Sequence, residues 1–281
     1  MAPRFEPLEI GVMFWAGRDP AQTLAELRAL GVRYGQLGLP GDLDPACAEA
    51  WNLALEAAGF PVFTVFAAFE GESYADLATV QQTVGFVPPV TRAAREARMI
   101  QVSDFAAVIG CPGIATHIGF VAEDVSHPDY IGVRDTVRRI CDHAANHYQT
   151  FALETGQESA EALLDFIRDV DRENLGINFD PANMILYGTG DPIEALKLLA
   201  PHVLSVHAKD GDWPAHPGAL GEEKPLGEGA VGIERFIAEL KRMAYRGPLA
   251  IEREASDAAR RMRDIRSAIG LLGSLAAAPP L

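Results

Sequence analysis

The sequence predicts an α/β protein, a single-domain (β/α)8 TIM barrel, on three observations. Short apolar, β-branched or aromatic runs alternate in strict order with longer stretches of helical period. There are eight strand signals and about eight helical ones. No Pro/Gly/Ser-rich linker divides the 281 residues, so the domain is read as 1–281 with a frayed tail at 276–281. Strict alternation builds a parallel sheet, because each parallel pair needs a crossover. Eight units in a chain not far from about 250 residues favour closure. The alternative is an open doubly wound sheet, which usually carries a Gly-rich turn after its first strand. Here Met-Phe-Trp-Ala-Gly follows Val12, and no G-x-G-x-x-G follows any strand.

The elements follow in order. The strand signals are Leu8–Val12, Tyr34–Leu39, Val62–Phe66, Ile114–Ile118, Thr150–Glu154, Leu175–Asp180, Val203–His207 and Leu249–Glu252. The first helix, Pro20–Leu30, has Asp19 as N-cap, Pro20 at its first position and Gly31 to close it. Pro45–Ala58 ends at Gly59, and Val90–Ile109 ends at Gly110. Gly132–Tyr148 follows His127-Pro128. Ser159–Val170 opens on a serine and places Leu163, Phe166, Ile167 and Val170 at helical spacing. Pro192–Leu199 is capped by Asp191; Gly232–Ala244 and Asp257–Leu275 complete the set. Two connections are long: Glu70–Pro89, partly helical, and Gly211–Gly229, which reads as a lid or binding loop.

Composition excludes several partners. Lys and Arg total 24 against 39 Asp and Glu, a formal charge of −15. Such a surface does not suit nucleic acid or anionic lipid. The first ten residues lack the layout of a signal peptide, and no run of about 18 apolar residues exists. Cys47, Cys111 and Cys141 are odd in number and far apart, so they read as reduced, buried thiols of a cytoplasmic protein.

In a barrel the chemistry sits at the C-terminal strand ends. The fifth, sixth, seventh and eighth strand signals end in Glu154, Asp180, His207 and Glu252, each behind an apolar run. The first three follow one another at intervals of 26 and 27 residues, one strand–helix unit each. Three carboxylates gathered at one mouth repel one another. A divalent cation relieves this, and three carboxylates with one imidazole suit Mn, Co, Zn or Mg. His117 ends the fourth strand and can reach substrate hydroxyls. Lys209 lies two residues beyond His207 and shares its strand face. Phe14 and Trp15 follow the first strand as candidate pocket walls; Trp213 and His216 sit in the long loop, where they would close over a substrate. Gln157 and Glu158 precede a helix, and Gly227 and Gly229 form a candidate anion-binding turn. Asp210 and Arg253 are candidates for orienting the ligands.

The segments L-E-T-G (153–156), N-F-D-P-A-N (178–183), V-H-A-K-D (206–210), P-L-G-E-G (225–229) and I-E-R-E (251–254) resemble the xylose-isomerase-like TIM-barrel superfamily, and within it the sugar phosphate isomerase/epimerase branch. The resemblance covers nearly the whole chain in layout and is sharpest over 150–256. It implies one divalent metal held by Glu154, Asp180, His207 and Glu252. It implies that Glu154 and Glu252 also flank the substrate and pass a proton through an enediolate, as isomerase or epimerase of a sugar, sugar phosphate or polyol. An inosose-type dehydratase and a catalytically silent sugar-binding barrel are the alternatives on the same scaffold. Relatives of this kind are often dimers or tetramers, so a homo-oligomer is one of the open alternatives. Asn183 stands where several sugar epimerases of this kind carry histidine, three residues after the metal Asp, and is read as a substrate contact. The related apurinic-site endonucleases need further His and Asp ligands; Asn183 takes one such position and no D-x-H pair follows His207. With the charge of −15, DNA repair is disfavoured.

Overall fold

A computed structural model describes residues 8–278. Eight parallel strands close into a barrel: β1 (Ile10–Trp15), β2 (Gly35–Leu39), β3 (Val62–Ala67), β4 (Gly113–Thr116), β5 (Thr150–Glu154), β6 (Leu175–Phe179), β7 (Val203–Ala208) and, after two short strands described below, β10 (Leu249–Ile251). Each pairs with its neighbour in sequence, and β1 pairs with β10 to close the ring (Ile10 opposite Leu249). A closed sheet leaves no edge, which rules out the open doubly wound alternative.

The helices follow the caps read from sequence. Asp19 accepts from the Gln22 amide at the head of α1 (Pro20–Ala29). α2 (Ala48–Ala58) is preceded by a 3₁₀ turn at Pro45–Cys47 and ends on Gly59 in the left-handed region. α4 (Pro89–Val108) and α5 (Pro128–Ala145) are the longest of the middle crossovers, α6 (Ala160–Val170) buries Leu163, Phe166, Ile167 and Val170, and α8 (Pro192–Leu199) starts on Asp191. α9 (Ile233–Arg242) and α10 (Ala258–Ala277) finish the ring. Ala276 and Ala277 continue α10, and residues 279–281 lie outside the described residues.

Three departures from the sequence reading matter for the site, in β1, in a helix after β6 and in the 211–229 loop. β1 begins and ends later than expected, so Phe14 and Trp15 are strand residues pointing to opposite faces. Phe14 faces the helices, edge-on to Phe60 at 5.7 Å between ring centroids, whereas Trp15 reaches the barrel mouth and is 44% exposed. The helical part of the 70–89 segment is α3 (Leu77–Thr83). A short helix that the sequence reading lacked, α7 (Pro181–Tyr187), starts directly after β6. The 211–229 loop folds back as an antiparallel pair, β8 (Asp210–Asp212) with β9 (Glu222–Lys224).

The strand faces separate two packing layers. Outward residues such as Leu37, Val65, Ile114, Leu153, Ile177 and Val206 join the helices in one extended core. Met13, Tyr34, Phe63, Phe66, Ala115, Ala152 and Ala250 form a second cluster inside the barrel. Alanines on β4, β5 and β10 make room there for the phenylalanines of β3, so the lower interior is filled rather than open. Above it the inward residues turn polar: Gln36, Asn178, Ser205 and His207, all buried.

Candidate functional site

Glu154 is the last residue of β5, Asp180 follows β6, His207 lies one residue before the end of β7, and Glu252 follows β10. One ligand atom from each of the four lies within 4.8 Å of the others. The backbone arranges this locally. Asp180 is the N-cap of α7, and its Oδ1 accepts from the amides of Ala182 (2.8 Å) and Asn183 (3.0 Å). One carboxylate oxygen is thus spent on the helix and the other, Oδ2, is turned into the mouth. Thr155 locks the same corner, donating its hydroxyl to the Asp180 carbonyl and accepting from the Asp180 amide (2.9 and 2.8 Å). Gly156, at φ +140°, lets α7 approach: a Cβ there would stand 2.4 Å from the Cβ of Asn183.

His207 is oriented from below. Its Nε2 meets the Gln36 side-chain oxygen and lies 3.1 Å from the Asn178 amide nitrogen. Asn178 is itself held by Gln36 and by the Ser205 hydroxyl. Its Nδ1 faces Glu154 Oε1 (2.9 Å), Glu252 Oε2 (2.8 Å) and Asp180 Oδ2 (3.5 Å), and the three carboxylates favour a proton there; with Nε2–H kept for Gln36, loss of that proton would free a lone pair for an ion. Nδ1 can carry only one proton, so without an ion it cannot satisfy three carboxylates. Among the described residues, Asp180 Oδ2 and Glu252 Oε2 have no hydrogen-bond partner although both are buried. The Lys209 ammonium lies 3.8 Å and 3.4 Å from these two oxygens, outside the usual hydrogen-bond range, and the single Nδ1 is shared, so both oxygens are under-satisfied in a way a bound divalent cation would relieve. The donor set and its polar support therefore fit a divalent metal.

The electrostatics agree. Burial pushes the Glu154 carboxyl up to about 8, against the opposing pull of His207. Burial also penalises the charged forms of Asp180 and Glu252, yet Lys209 and His207 hold both below the ordinary carboxylate range. Lys209 is 4% exposed; its Nζ lies 3.1 Å from Glu254, 3.4 Å from Glu252 and 3.8 Å from Asp180. The ammonium is enclosed by carboxylates, so Lys209 balances charge within the cluster. Arg253 turns away from Glu252 and pairs instead with Glu223 (3.0 Å) and Asp264 (2.9 Å).

Above the four residues lies a cleft of about 280 Å³, walled by Trp15, Phe66, Tyr74, His117, Asn183, Tyr187 and Lys209, with Glu72, Glu223 and Glu254 at its sides. His117 Nε2 stands 3.0 Å from Glu154 Oε2, and burial pushes its pKa down to about 4, leaving a neutral ring able to donate there. Asn183 donates to Glu154 Oε1 at 3.2 Å. Trp15, His117, Asn183 and Lys209 therefore join the four mouth residues. Trp213, His216 and Gln157 do not line this cleft. Trp213 and His216 are exposed, and Gln157 is buried beneath it beside Tyr187. From the long loop it is Leu220, Gly221 and Glu223 that reach the cleft. Gln36, Tyr74 and Tyr187 escaped the sequence reading. Gln36 has one usable signal, a polar residue in the middle of a strand whose every residue is buried.

The loop's expected anion-binding turn has an internal anion. The Asp210 carboxylate accepts from the backbone amides of Gly211 (2.9 Å), Gly227 (2.9 Å), Gly229 (3.1 Å) and Val231 (3.1 Å). A Cβ at Gly229 would stand 2.4 Å from Asp210 Oδ1, so only glycine lets this amide approach. Gly227 and Gly229 thus bind Asp210 and not an external phosphate.

Glu158 stands apart from this cluster, walling a separate cavity of about 310 Å³ with Tyr130, Leu163 and Phe166. Burial pushes its carboxyl up to about 8 against a smaller pull from the backbone amides of Glu158 and Val121. A carboxyl whose pKa rises on folding costs stability as pH climbs from its unfolded value toward the folded one. Glu158→Gln is therefore expected to match the parent near pH 4 and to gain stability over it progressively up to about pH 8. Paired thermal melts across that range test this; a pH-independent gap refutes it.

Comparison with known proteins agrees with this architecture. A "Xylose isomerase domain protein" from Planctomyces limnophilus superposes with a TM-score of 0.89 and 45% identity, covering 97% of this chain and 98% of that one. A D-allulose 3-epimerase from Methylomonas sp. shares the fold at a TM-score of 0.71 and 16% identity, over 97% of this chain and all of its own length (100%). The uncharacterized protein YihM of Escherichia coli K12 is 32% identical over 124 residues, 41% of this chain and 38% of YihM, so the match spans well under half of that relative. The model of the xylose isomerase-like TIM barrel matches residues 24–275, and the chain belongs to that family.

Proposed function

We propose that the protein is a divalent-metal-dependent isomerase or epimerase of an unphosphorylated sugar or polyol, working by proton transfer between Glu154 and Glu252. The observation that carries the reading is the convergence of Glu154, Asp180, His207 and Glu252 within 4.8 Å, with buried oxygens of Asp180 and Glu252 left without hydrogen-bond partners. Glu154, Asp180, His207 and Glu252 would hold the ion, which when bound polarises a carbonyl and its neighbouring hydroxyl and stabilises developing negative charge. Glu154 and Glu252 come from strands on different sides of the mouth, β5 and β10, and so can address opposite faces of a carbon between them. One takes the proton beside the carbonyl and the other returns one. His117 and Asn183 keep Glu154 fixed during this exchange. Trp15, Phe66, Tyr74 and Tyr187 offer apolar faces with phenolic hydroxyls, which suits a ring or chain bearing several hydroxyls.

Charge favours an unphosphorylated substrate. Lys209 is enclosed by Glu252, Glu254 and Asp180, Arg253 is engaged by Glu223 and Asp264, and the Gly227 and Gly229 amides serve Asp210. Among the described residues lining the cleft, a phosphate would find no uncommitted cation, and would face Glu72, Glu223 and Glu254. The D-allulose 3-epimerase of the same fold supports a ketose as the first substrate to try.

The test is turnover in D2O of a panel of ketoses, aldoses and inososes, with their phosphate esters, followed by NMR. The expected result is deuterium at the carbon beside the carbonyl of a free sugar with conversion to its isomer. The phosphate esters should stay inert, and activity should vanish with chelator and return with Mn, Co, Zn or Mg. Loss of water from an inosose would move the assignment to the dehydratase. A metal-loaded protein that binds sugars but exchanges no proton at any carbon would be a silent binding barrel.

A further inference from the structure

At the opposite end of the barrel, we propose a second metal site, a clip for a zinc-class divalent ion between α4 and α5 made by Asp104, His143 and His147. Both imidazoles point at one carboxylate oxygen: His143 Nε2 lies 2.8 Å and His147 Nε2 3.1 Å from Asp104 Oδ1. The two rings stand 5.3 Å apart between centroids, and one ligand atom from each residue lies within 4.8 Å of the others. Ligands on a tetrahedral zinc at about 2.0–2.1 Å are separated by roughly 3.3 Å. The two imidazole–carboxylate separations need to open by only a few tenths of an ångström to admit an ion.

The spacing has a helical origin. His143 lies in the last turn of α5, and His147 follows four residues later on a continuing turn, its amide bonded to the Ala144 carbonyl. Residues four apart share a helix face. Asp104 is contributed by α4, and it is held in register by its neighbour. Ser103 donates its hydroxyl to the Gln149 side-chain oxygen at 2.6 Å, and the Gln149 amide donates back to the Ser103 carbonyl at 3.0 Å, both groups buried. This lock lies one residue from Asp104 and two from His147, so the ligands are positioned before any ion arrives. Both helices also present their C-terminal ends here, where the backbone dipole favours a cation. The three side chains are partly exposed, at 27% for His143, 33% for His147 and 55% for Asp104, which leaves an open face for water as the remaining ligand. Two imidazoles and one carboxylate select zinc, copper or nickel over magnesium or calcium.

The experiment compares metal-stripped wild type with His143→Gln/His147→Gln, each titrated with Zn2+ by calorimetry. The difference between the two proteins is the readout, so it holds whether or not the mouth residues also take zinc. Wild type is expected to bind one more equivalent than the double variant, and its melting temperature is expected to rise further with zinc. Asp104→Asn, which keeps the shape, should weaken that extra equivalent at least about tenfold. Equal stoichiometry and equal zinc-dependent melting shifts in wild type and the double variant would overturn the clip. So would an extra equivalent that Asp104→Asn leaves unweakened.

Discussion

Replacing Glu252 by Gln, and separately Glu154 by Gln, should each lower turnover of the identified sugar by about a thousandfold or more. A positioned acid or base contributes on the order of 10²–10⁴ in rate, and each of these side chains is also a candidate ligand. Glutamine keeps the volume and one oxygen donor but cannot take up a proton. The two variants should differ in a way that assigns their roles. If each glutamate serves one face of the carbon, the variant lacking the first base still removes the proton from the opposite epimer through the second. That epimer then washes in solvent deuterium without being converted, while its partner does not exchange. Glu154→Gln carries an added cost, since the carboxylate is the common acceptor of His117 and Asn183. The KM of that variant should therefore change along with kcat. Metal content measured in parallel separates a lost base from a lost ligand. If both variants keep full turnover, or if both epimers keep exchanging in each, the two-glutamate reading is wrong.

The parts of this site that were legible in the sequence share one feature. A carboxylate or imidazole directly behind an apolar run can only sit at a strand end, and a parallel barrel collects its strand ends. Glu154, Asp180, His207 and Glu252 were visible for that reason. Lys209 was placed by the alternation of strand faces, but its environment was not, because Glu254 and Asp180 meet it through three-dimensional closure. Gln36 is far from every motif in the chain, and its role depends on a barrel neighbour relation that periodicity does not carry. Trp213 and His216 read as lid residues because they sit in a long loop that follows the seventh strand. The β8–β9 pair instead directs Leu220, Gly221 and Glu223 inward and leaves Trp213 and His216 outside. α7 has a readable start in Asp180-Pro181, an N-cap followed by proline, and the same aspartate also reads as a strand end. Both readings hold, one for each carboxylate oxygen.

Asp210→Ala is expected to be the most damaging substitution outside the ligand set. Its carboxylate is 1% exposed and gathers four backbone amides, from Gly211, Gly227, Gly229 and Val231. Each is a charge-assisted bond. Removing the acceptor leaves donors that cost about 1–3 kcal/mol apiece where water cannot replace it. Gly211 and Val231 are buried, whereas Gly227 and Gly229 are partly exposed and can be rehydrated. A loss of roughly 3–5 kcal/mol follows, or on the order of 10 °C in melting temperature for a chain of this size. The damage should also reach the chemistry. Asp210 opens β8, whose partner β9 carries Glu223 to the wall of the cleft and to the amide of Glu254 (3.0 Å). Loosening the turn therefore frees Glu223 and Glu254 together, and with them two of the charges that surround Lys209. KM for the sugar should rise several-fold even at temperatures where the variant is fully folded. Asp210→Asn separates the two effects, since it keeps an acceptor for Gly211 and Val231 but sets an NH2 group against the amides of Gly227 and Gly229. It should melt between the parent and Asp210→Ala. A melting temperature for Asp210→Ala within two degrees of the parent would show that the turn holds its shape without its anion.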